Sequence, residues 1–591
     1  MAELSANALR VLQARYLRRD AAARVVETPE ELFLRVARAV AHAELLMGTA
    51  READAWQDVF ARLLTSLDFL PNSPALMNAG TPLGQLSACF VLPVEDSMES
   101  IFGALRAMAL VQRTGGGSGF SFSRLRPRGD VVRSTGGEAS GPVSFMRVFD
   151  CATESIKQGG RRRGASMAVV RVDHPDILEF VQAKADGSSF QNFNLSVGIT
   201  DAFMEAVERG QSYDLVHPGS GRVVRRMSAP EMFDHIVGAA WQTGDPGLLF
   251  LDAINRANPT PALGVIEATN PCGEVPLLPY ESCVLGSINL ANMVRAVGDR
   301  PELDWERLRH AVRVGARFLD DVIEVNRDPL AEIAEMTRGN RKVGLGVMGF
   351  AECLIRLGVS YASEEAAAWA DRLMAFIAGE ARATSRQLAE QRGVFPNWGR
   401  SVYAAAGERI RNATRLSIAP TGTISIIAGT SPSIEPLFAL AYRRHHSLGG
   451  PPLAEVNAIF LRYIEQHGLD ADRLLGEIVA AGSLRGLAGF PEEARRLFVT
   501  ANEVSPDQRL KIQEAFQRHV DNAVSTTINL PVESSREEVA QAYLNAWRLG
   551  LKGITVYRSG SKEHQVLTLG LGEDMTSREF FVKCDPGACR L

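Results

Sequence analysis

The sequence predicts an α/β protein built as a large barrel or as two fused α/β halves. Three observations lead there. From about residue 67 to 300, short apolar runs alternate with helical stretches and glycine-rich turns, the signature of parallel α/β construction. The same mixture returns from about 412 to 560. With 591 residues, the chain carries this pattern over more length than one nucleotide-binding domain uses. Periodicity alone does not choose between the barrel and the two halves.

Taken in order, residues 1–66 read as helices from their Ala/Leu/Arg patterning, with a cap at Thr28-Pro29-Glu30-Glu31. Strand-like runs follow at Cys89-Phe90-Val91-Leu92 and Met167-Ala168-Val169-Val170-Arg171-Val172, with helices expected over 97–114, 141–157 and 174–185. Residues 301–400 are largely helical, broken by the Gly-rich Val343-Gly344-Leu345-Gly346-Val347-Met348-Gly349. Beyond Gly560 the amphipathic pattern fades. The division expected is therefore a helical region 1–66, an α/β region 67–560 and a flexible tail 561–591.

Composition narrows the function. The chain is 46% hydrophobic and 23% charged, ordinary for a soluble globular protein. A net charge of −5 gives no case for sequence-independent nucleic-acid binding, which needs a basic excess. No apolar run is long enough to span a bilayer. The N-terminus mixes Glu3, Arg10, Arg15, Arg18 and Arg19 among apolar residues and reads as an amphipathic helix of a cytoplasmic protein. Seven cysteines, few and odd in number, argue against a disulfide framework. Cys151 and Cys353 sit in helix-like apolar contexts and are expected in the core. There is no CxxC pair or HExxH, so no metal site is expected; adjacent His445 and His446 point apart.

The chemistry concentrates in Asn270-Pro271-Cys272-Gly273-Glu274. In an extended backbone its amide, thiol and carboxylate share one face. Pro271 fixes the chain before the thiol, and Gly273 lets it turn just after. A second thiol, Cys283, follows in Glu281-Ser282-Cys283-Val284-Leu285-Gly286. Thr421-Gly422-Thr423-Ile424-Ser425, after a strand-like run, offers N–H groups and hydroxyls to a phosphate, and Asn72-Ser73-Pro74-Ala75 is a second small polar turn. Gly115-Gly116-Gly117-Ser118-Gly119 permits close approach by a ligand or by another strand. Gly159-Gly160-Arg161-Arg162-Arg163-Gly164 reads equally as a solvated basic turn or as an adjustable phosphate or base sensor. At the end of the tail, Cys584-Asp585-Pro586-Gly587-Ala588-Cys589 joins two thiols by a Pro-Gly turn. A flexible tether would let them exchange electrons with a buried partner.

Together these residues resemble ribonucleotide reductase catalytic chains, most closely those of the adenosylcobalamin-dependent class II. The similarity covers about residues 67–560: Asn72 to Asn78, the segment around Cys89, Gly115 to Arg128, Lys157 to Ala165, Asn270 to Asn292, and Ala419 to Pro436. It implies a ten-stranded α/β barrel with a central finger loop. It implies that Cys272 is the thiyl-radical cysteine, Glu274 the base for the ribose 3′-hydroxyl and Asn270 the amide orienting the hydroxyls. Cys89 and Cys283 would be the dithiol oxidised to a disulfide, and Cys584 and Cys589 the tail pair that re-reduces it. Ser73 and Thr421 to Ser425 (Thr421, Gly422, Thr423, Ile424, Ser425) would hold substrate phosphate. A thiyl radical belongs in a site closed to water, and the radical-making step goes to a cofactor.

The same resemblance bears on class and control. Gly550 to Gly560 holds one tyrosine, Tyr557, where class I chains carry a radical-transfer pair, and no glycyl-radical segment is present. Adenosylcobalamin is therefore the implied cofactor, although the common Asp-x-His-x-x-Gly cobalamin signature is absent. The alternatives are a class I catalytic subunit with a separate radical-generating partner, and a catalytically silent nucleotide-binding protein. Implied partners are a ribonucleoside di- or triphosphate, a thioredoxin- or glutaredoxin-like reductant, a deoxynucleoside triphosphate effector and a second copy of the chain in a homodimer. Asp96 matches an effector-ribose position, and Gln158, Arg161, Arg162 and Arg163 lie in the loop that relays effector identity. About 66 residues before the core match are too few for an ATP-sensing cone domain of roughly 90, so specificity control without overall dATP shut-off is expected.

Overall fold

A computed structural model describes residues 3–132, 136–158, 162–298, 300–444, 453–469, 477–478, 481–561 and 567–569. The N-terminal region is helical, as its pattern predicts. Pro29–Met47 starts at a capping box in which Thr28 and Glu31 satisfy each other's backbone N–H groups, and Ala50–Thr65 repeats the device with Thr49 and Glu52. Ahead of them, Ala6–Val11 runs into a π-helical turn, Leu12–Tyr16.

The barrel is assembled from two parallel halves. In the first, β1 (Cys89–Val91), β2 (Gly117–Ser121), β3 (Ser166–Arg171), β4 (Phe193–Ile199) and β5 (Gly247–Phe250) lie side by side, each parallel to the next. In the second, β6 (Ser282–Asn289) is parallel to β7 (Val343–Met348), and β8 (Thr527–Leu530) is parallel to β9 (Gly553–Arg558). Segment 415–418 fills the gap between β7 and β8. Leu345 bridges to Leu416 and Ile418 to Val524, both parallel. The Ile418 N–H donates to the Ala523 carbonyl at 3.2 Å, and the Ser525 N–H donates to the Ile418 carbonyl at 2.9 Å.

Two antiparallel seams join the halves. Cys89 pairs with Cys283 where β1 meets β6, and Leu248 pairs with Ile554 where β5 meets β9. The isolated bridges through segment 415–418 thus link the two outer edges of the sheet, an arrangement that favours a barrel over two separate halves. Phe69–Pro71 adds an antiparallel strand to β6 outside it.

Strand alternation separates inside from outside. Cys89, Val91, Met167, Val169, Leu249, Cys283 and Leu285 form an inner apolar cluster with Val275 and Leu277. Phe90, Ala168, Val170, Leu248 and Phe250 point outward to helices of the first half. Val284, Leu345 and Val347 pack with the N-terminal helices and Trp305–Val325.

Several expectations need correction. The helix predicted over 174–185 is only Ile177–Val181. Cys151 is exposed, because helix Gly141–Ser155 buries the face bearing Met146, Phe149 and Thr153. Cys353 is fully buried, and burial pushes its thiol up to about 12. Of the tail, Leu567–Leu569 pairs with Ala441–Arg444 as a short strand; Cys584 and Cys589 lie outside the described residues, as do Arg161, His445 and His446.

Candidate active site

Inside the ring stands a hairpin, Ala268–Thr269 against Pro276–Leu277, with the Asn270–Glu274 stretch at its tip. The tip is a turn rather than the extended run the sequence suggested. The Gly273 N–H donates to the Asn270 carbonyl at 3.1 Å, and Gly273 adopts φ +82°. A hairpin must reverse direction here, and glycine takes the left-handed conformation without penalty.

Both halves of the barrel grip this finger. A Cβ on Gly119 would lie 1.7 Å from the Thr269 carbonyl oxygen, and one on Gly117 would lie 2.8 Å from Pro271 Cγ. The glycine run thus serves close approach by a strand, one of its two readings. Asn194 on β4 donates from Nδ2 to the Pro271 carbonyl at 2.6 Å. From the opposite half, the Ser417 hydroxyl and the Ala523 N–H both donate to the Glu274 carbonyl at 2.9 Å.

At the tip, Asn270 Nδ2 donates to Glu274 Oε2 at 2.7 Å, and Asn270 Oδ1 accepts the Val275 N–H at 2.9 Å. Asn270 and Glu274 are both 2% exposed, whereas Cys272 is exposed at the apex. One cavity, of about 250 Å³, brings Cys272, Asn270 and Glu274 together with Cys89, Ser73 and Thr421 to Ile424. A second, of about 350 Å³, reaches Cys272 from the other side and is lined by Asn194, Ser196, Thr526 and Thr555.

The sequence-predicted residues divide cleanly. Cys89 faces Cys283 across the seam, and both are buried. Burial pushes the Cys283 thiol well above its ordinary range, against the nearby Lys342 cation. That ammonium donates to Glu281 Oε2 at 2.6 Å, and both side chains are 1% exposed. Ser73 opens the short helix Ser73–Asn78, and Thr421 to Thr423 lead into Ile424–Ala428; both turns line the first cavity. The Thr421 hydroxyl also accepts the Ser433 N–H at 2.7 Å. Ser425 is 1% exposed and does not line the cavity.

Asp96 is exposed beside the start of helix Met98–Arg113 and accepts from Arg126 Nε at 2.8 Å. Gln158 lies in a two-residue strand paired with Arg162 and Arg163, next to the C-terminal end of the same helix. Sequence reasoning missed Asn194 and Ser417. Each is a small polar residue between apolar neighbours in a strand-like run, a weak signal until the finger supplies its partner.

Two family descriptions match the chain: "Ribonucleotide reductase, all-alpha domain" over residues 2–84 and "Ribonucleotide reductase, barrel domain" over residues 87–557. The chain belongs to the ribonucleotide reductase family. Among its relatives in that family is the vitamin B12-dependent ribonucleoside-diphosphate reductase of Mycobacterium tuberculosis. The two are 52% identical over 100% of this chain and 83% of that protein. The protein of the same name from Thermoplasma acidophilum is 46% identical over 98% of this chain and 82% of its own length. Among solved structures, the Actinobacillus ureae class Id ribonucleotide reductase alpha subunit superposes with a TM-score of 0.77 at 25% identity. That match covers 94% of this chain and 97% of that one. Among the described residues of this reductase-family chain, no group of three or more His, Cys, Asp or Glu side chains could hold a metal ion. None of the described helices is long and apolar enough to cross a membrane.

Proposed function

We propose that this chain reduces ribonucleotides to 2′-deoxyribonucleotides as an adenosylcobalamin-dependent, class II enzyme. The observation that carries the reading is the position of Cys272, exposed at the finger tip between two cavities. Relatives covering nearly the whole chain are named as vitamin B12-dependent ribonucleoside-diphosphate reductases, which favours class II over class I.

The second cavity fits the cofactor's nucleoside end. Ser196, Thr526 and Thr555 offer hydroxyls there, and Met167 and Leu248 give apolar walls, beside Cys272. When bound, adenosylcobalamin supplies the one-electron chemistry that converts the Cys272 thiol to a thiyl radical.

In the first cavity, the Cys272 thiyl takes the ribose 3′ hydrogen atom. Glu274 accepts the 3′-hydroxyl proton, and Asn270, bonded to that carboxylate, keeps it aimed while orienting the substrate hydroxyls. The 2′-hydroxyl leaves as water. Cys89 and Cys283 supply the two electrons and two hydrogens and become a disulfide, and the 3′ hydrogen returns from Cys272. Ser73 and the N–H groups of residues 421–424 bind the phosphates. The buried seam keeps the dithiol away from water and stray oxidants.

Re-reduction through Cys584 and Cys589 by a thioredoxin- or glutaredoxin-like protein completes the cycle. Asp96 and the 158–163 loop read a deoxynucleoside triphosphate effector. A homodimer is supported by Met98 and Phe102, exposed at 55% and 46%, on a helix packed against the one bearing exposed Val148.

The test is CDP and CTP reduction by the purified chain with dithiothreitol and a deoxynucleotide effector, with and without adenosylcobalamin and without a second protein. Cobalamin-dependent product is expected. Product only after adding a metal-containing partner subunit would replace this reading with class I.

A further inference from the structure

Ser73 touches a residue that no part of the reaction scheme has yet used. Tyr16, at the end of the π-helical turn, is 2% exposed, and its hydroxyl lies 2.8 Å from Ser73 Oγ. A π-helical turn widens the backbone locally and is found disproportionately at functional positions. Its surroundings give the contact a purpose. Helix Ala6–Val11 packs on Ile424–Ala428, and the π-helical turn packs on Ser73–Asn78. The same N-terminal region holds the far end of Ser73–Asn78: Arg35 donates to the carbonyls of Leu76 and Ala79. Arg35 is itself fixed by Glu27, Nε to Oε1 at 2.7 Å. The all-α region therefore grips both walls of the phosphate end of the 250 Å³ cavity.

We propose that Tyr16 is a positioning residue for the substrate phosphate, acting through the Ser73 hydroxyl; this rests on the reading of Ser73 as a phosphate contact. A phenol is a stronger acid than an alkyl alcohol, which favours Tyr16 as donor and Ser73 as acceptor in this bond. The Ser73 proton is then free to point into the cavity, toward an anionic oxygen. A donor chain from phenol to alcohol to phosphate polarises each link, which strengthens the bond to the anion. Without the phenol, Ser73 is free to turn its proton elsewhere, and the cavity loses a fixed donor.

The experiment compares Tyr16→Phe, Ser73→Ala and the double variant in the full chain with adenosylcobalamin, reading KM and kcat for CDP, the Kd of the effector, and Tm. Tyr16→Phe keeps the ring and its packing. It is expected to raise KM by about 5- to 10-fold, with kcat within about 2-fold and with Tm and effector binding unchanged. Because Tyr16 acts through Ser73, the double variant should match Ser73→Ala alone.

An unchanged KM in Tyr16→Phe, with a raised KM in Ser73→Ala, would overturn the proposal while leaving the phosphate reading intact. A fall in Tm and kcat at constant KM would mark Tyr16 as structural and likewise overturn it. An unchanged KM in Ser73→Ala would remove the underlying reading, and the proposal with it.

Discussion

The finger tip and the β1–β6 seam each carry cysteines, and they are built in opposite ways. At the tip, Cys272 is exposed to cavities on two sides, held on a reversed turn whose carbonyls are gripped by Asn194, Ser417 and Ala523. At the seam, Cys89 and Cys283 are buried and register-locked opposite each other on paired strands, with Cys89 bordering the first cavity. The contrast fits the roles we propose for them. A thiol that must receive a radical on one side and act on substrate from the other needs access. A dithiol that must close a disulfide needs a fixed, dry pairing, and strand register supplies it.

The sharpest way to break this comparison is Cys272→Ser, a one-atom change. Turnover should fall below about one part in 10⁴ of the parent, while the effector Kd and Tm stay as they were. Appreciable dCDP formation by that variant would end the radical-thiol assignment.

Next is Gly119→Ala. Its Cβ would lie 1.7 Å from the Thr269 oxygen, a backbone atom that cannot move aside cheaply. A loss of at least about 3 kcal/mol in urea unfolding is expected, with lost activity. A fully stable Gly119→Ala would mean that the finger does not lie against β2.

Peptide-resolved alkylation with iodoacetamide sharpens the accessibility contrast. Cys272 and exposed Cys151 should label at least about 10-fold faster than Cys89, Cys283 and Cys353. Burial holds the Cys283 thiol protonated, so raising the pH from 7 to 9 should leave its labelling slow. Fast labelling of Cys283 in the folded protein would show that the seam is open.

The smallest effect concerns Lys552. Its ammonium donates to the Asp521 carbonyl at 2.6 Å and to the Asn522 carbonyl, just before the residue whose N–H holds Glu274. Burial lowers it to about 8. An unfolded lysine titrates near about 10.4, so between these values the unfolded chain binds more protons and stability rises with pH. The gain from pH 8 to 10 should be below about 2 kcal/mol and should vanish in Lys552→Met. A Lys552→Met curve parallel to the parent's would assign the slope to other groups.

Much of this was legible in the residues. The capping box at Thr28 and Glu31 forms as written, since its partners are three residues apart. The finger was legible because Pro271 and Gly273 bracket Cys272 within five residues. Helix 174–185 was overcalled because Phe190 and Phe193 bury themselves in the same cluster as Phe180 from a non-helical turn. Cys151 was placed in the core because its neighbours are apolar, yet it lies on the opposite face from Phe149. Asn194, Ser417 and Tyr16 give little signal, because their partners stand 77, 143 and 57 residues away.

Local order therefore determined what the sequence could determine alone: the α/β character, the grouping of Asn270, Cys272 and Glu274, and the turns flanking Ser73 and Thr421. Such features depend on residues a few positions apart, where chain geometry is nearly fixed. Only the tertiary structure decided that the edges of the sheet are linked through segment 415–418, that Cys89 meets Cys283, and that the N-terminal region reaches Ser73 through Tyr16. Those are long-range contacts, set by strand register and by the burial of apolar faces rather than by any local pattern.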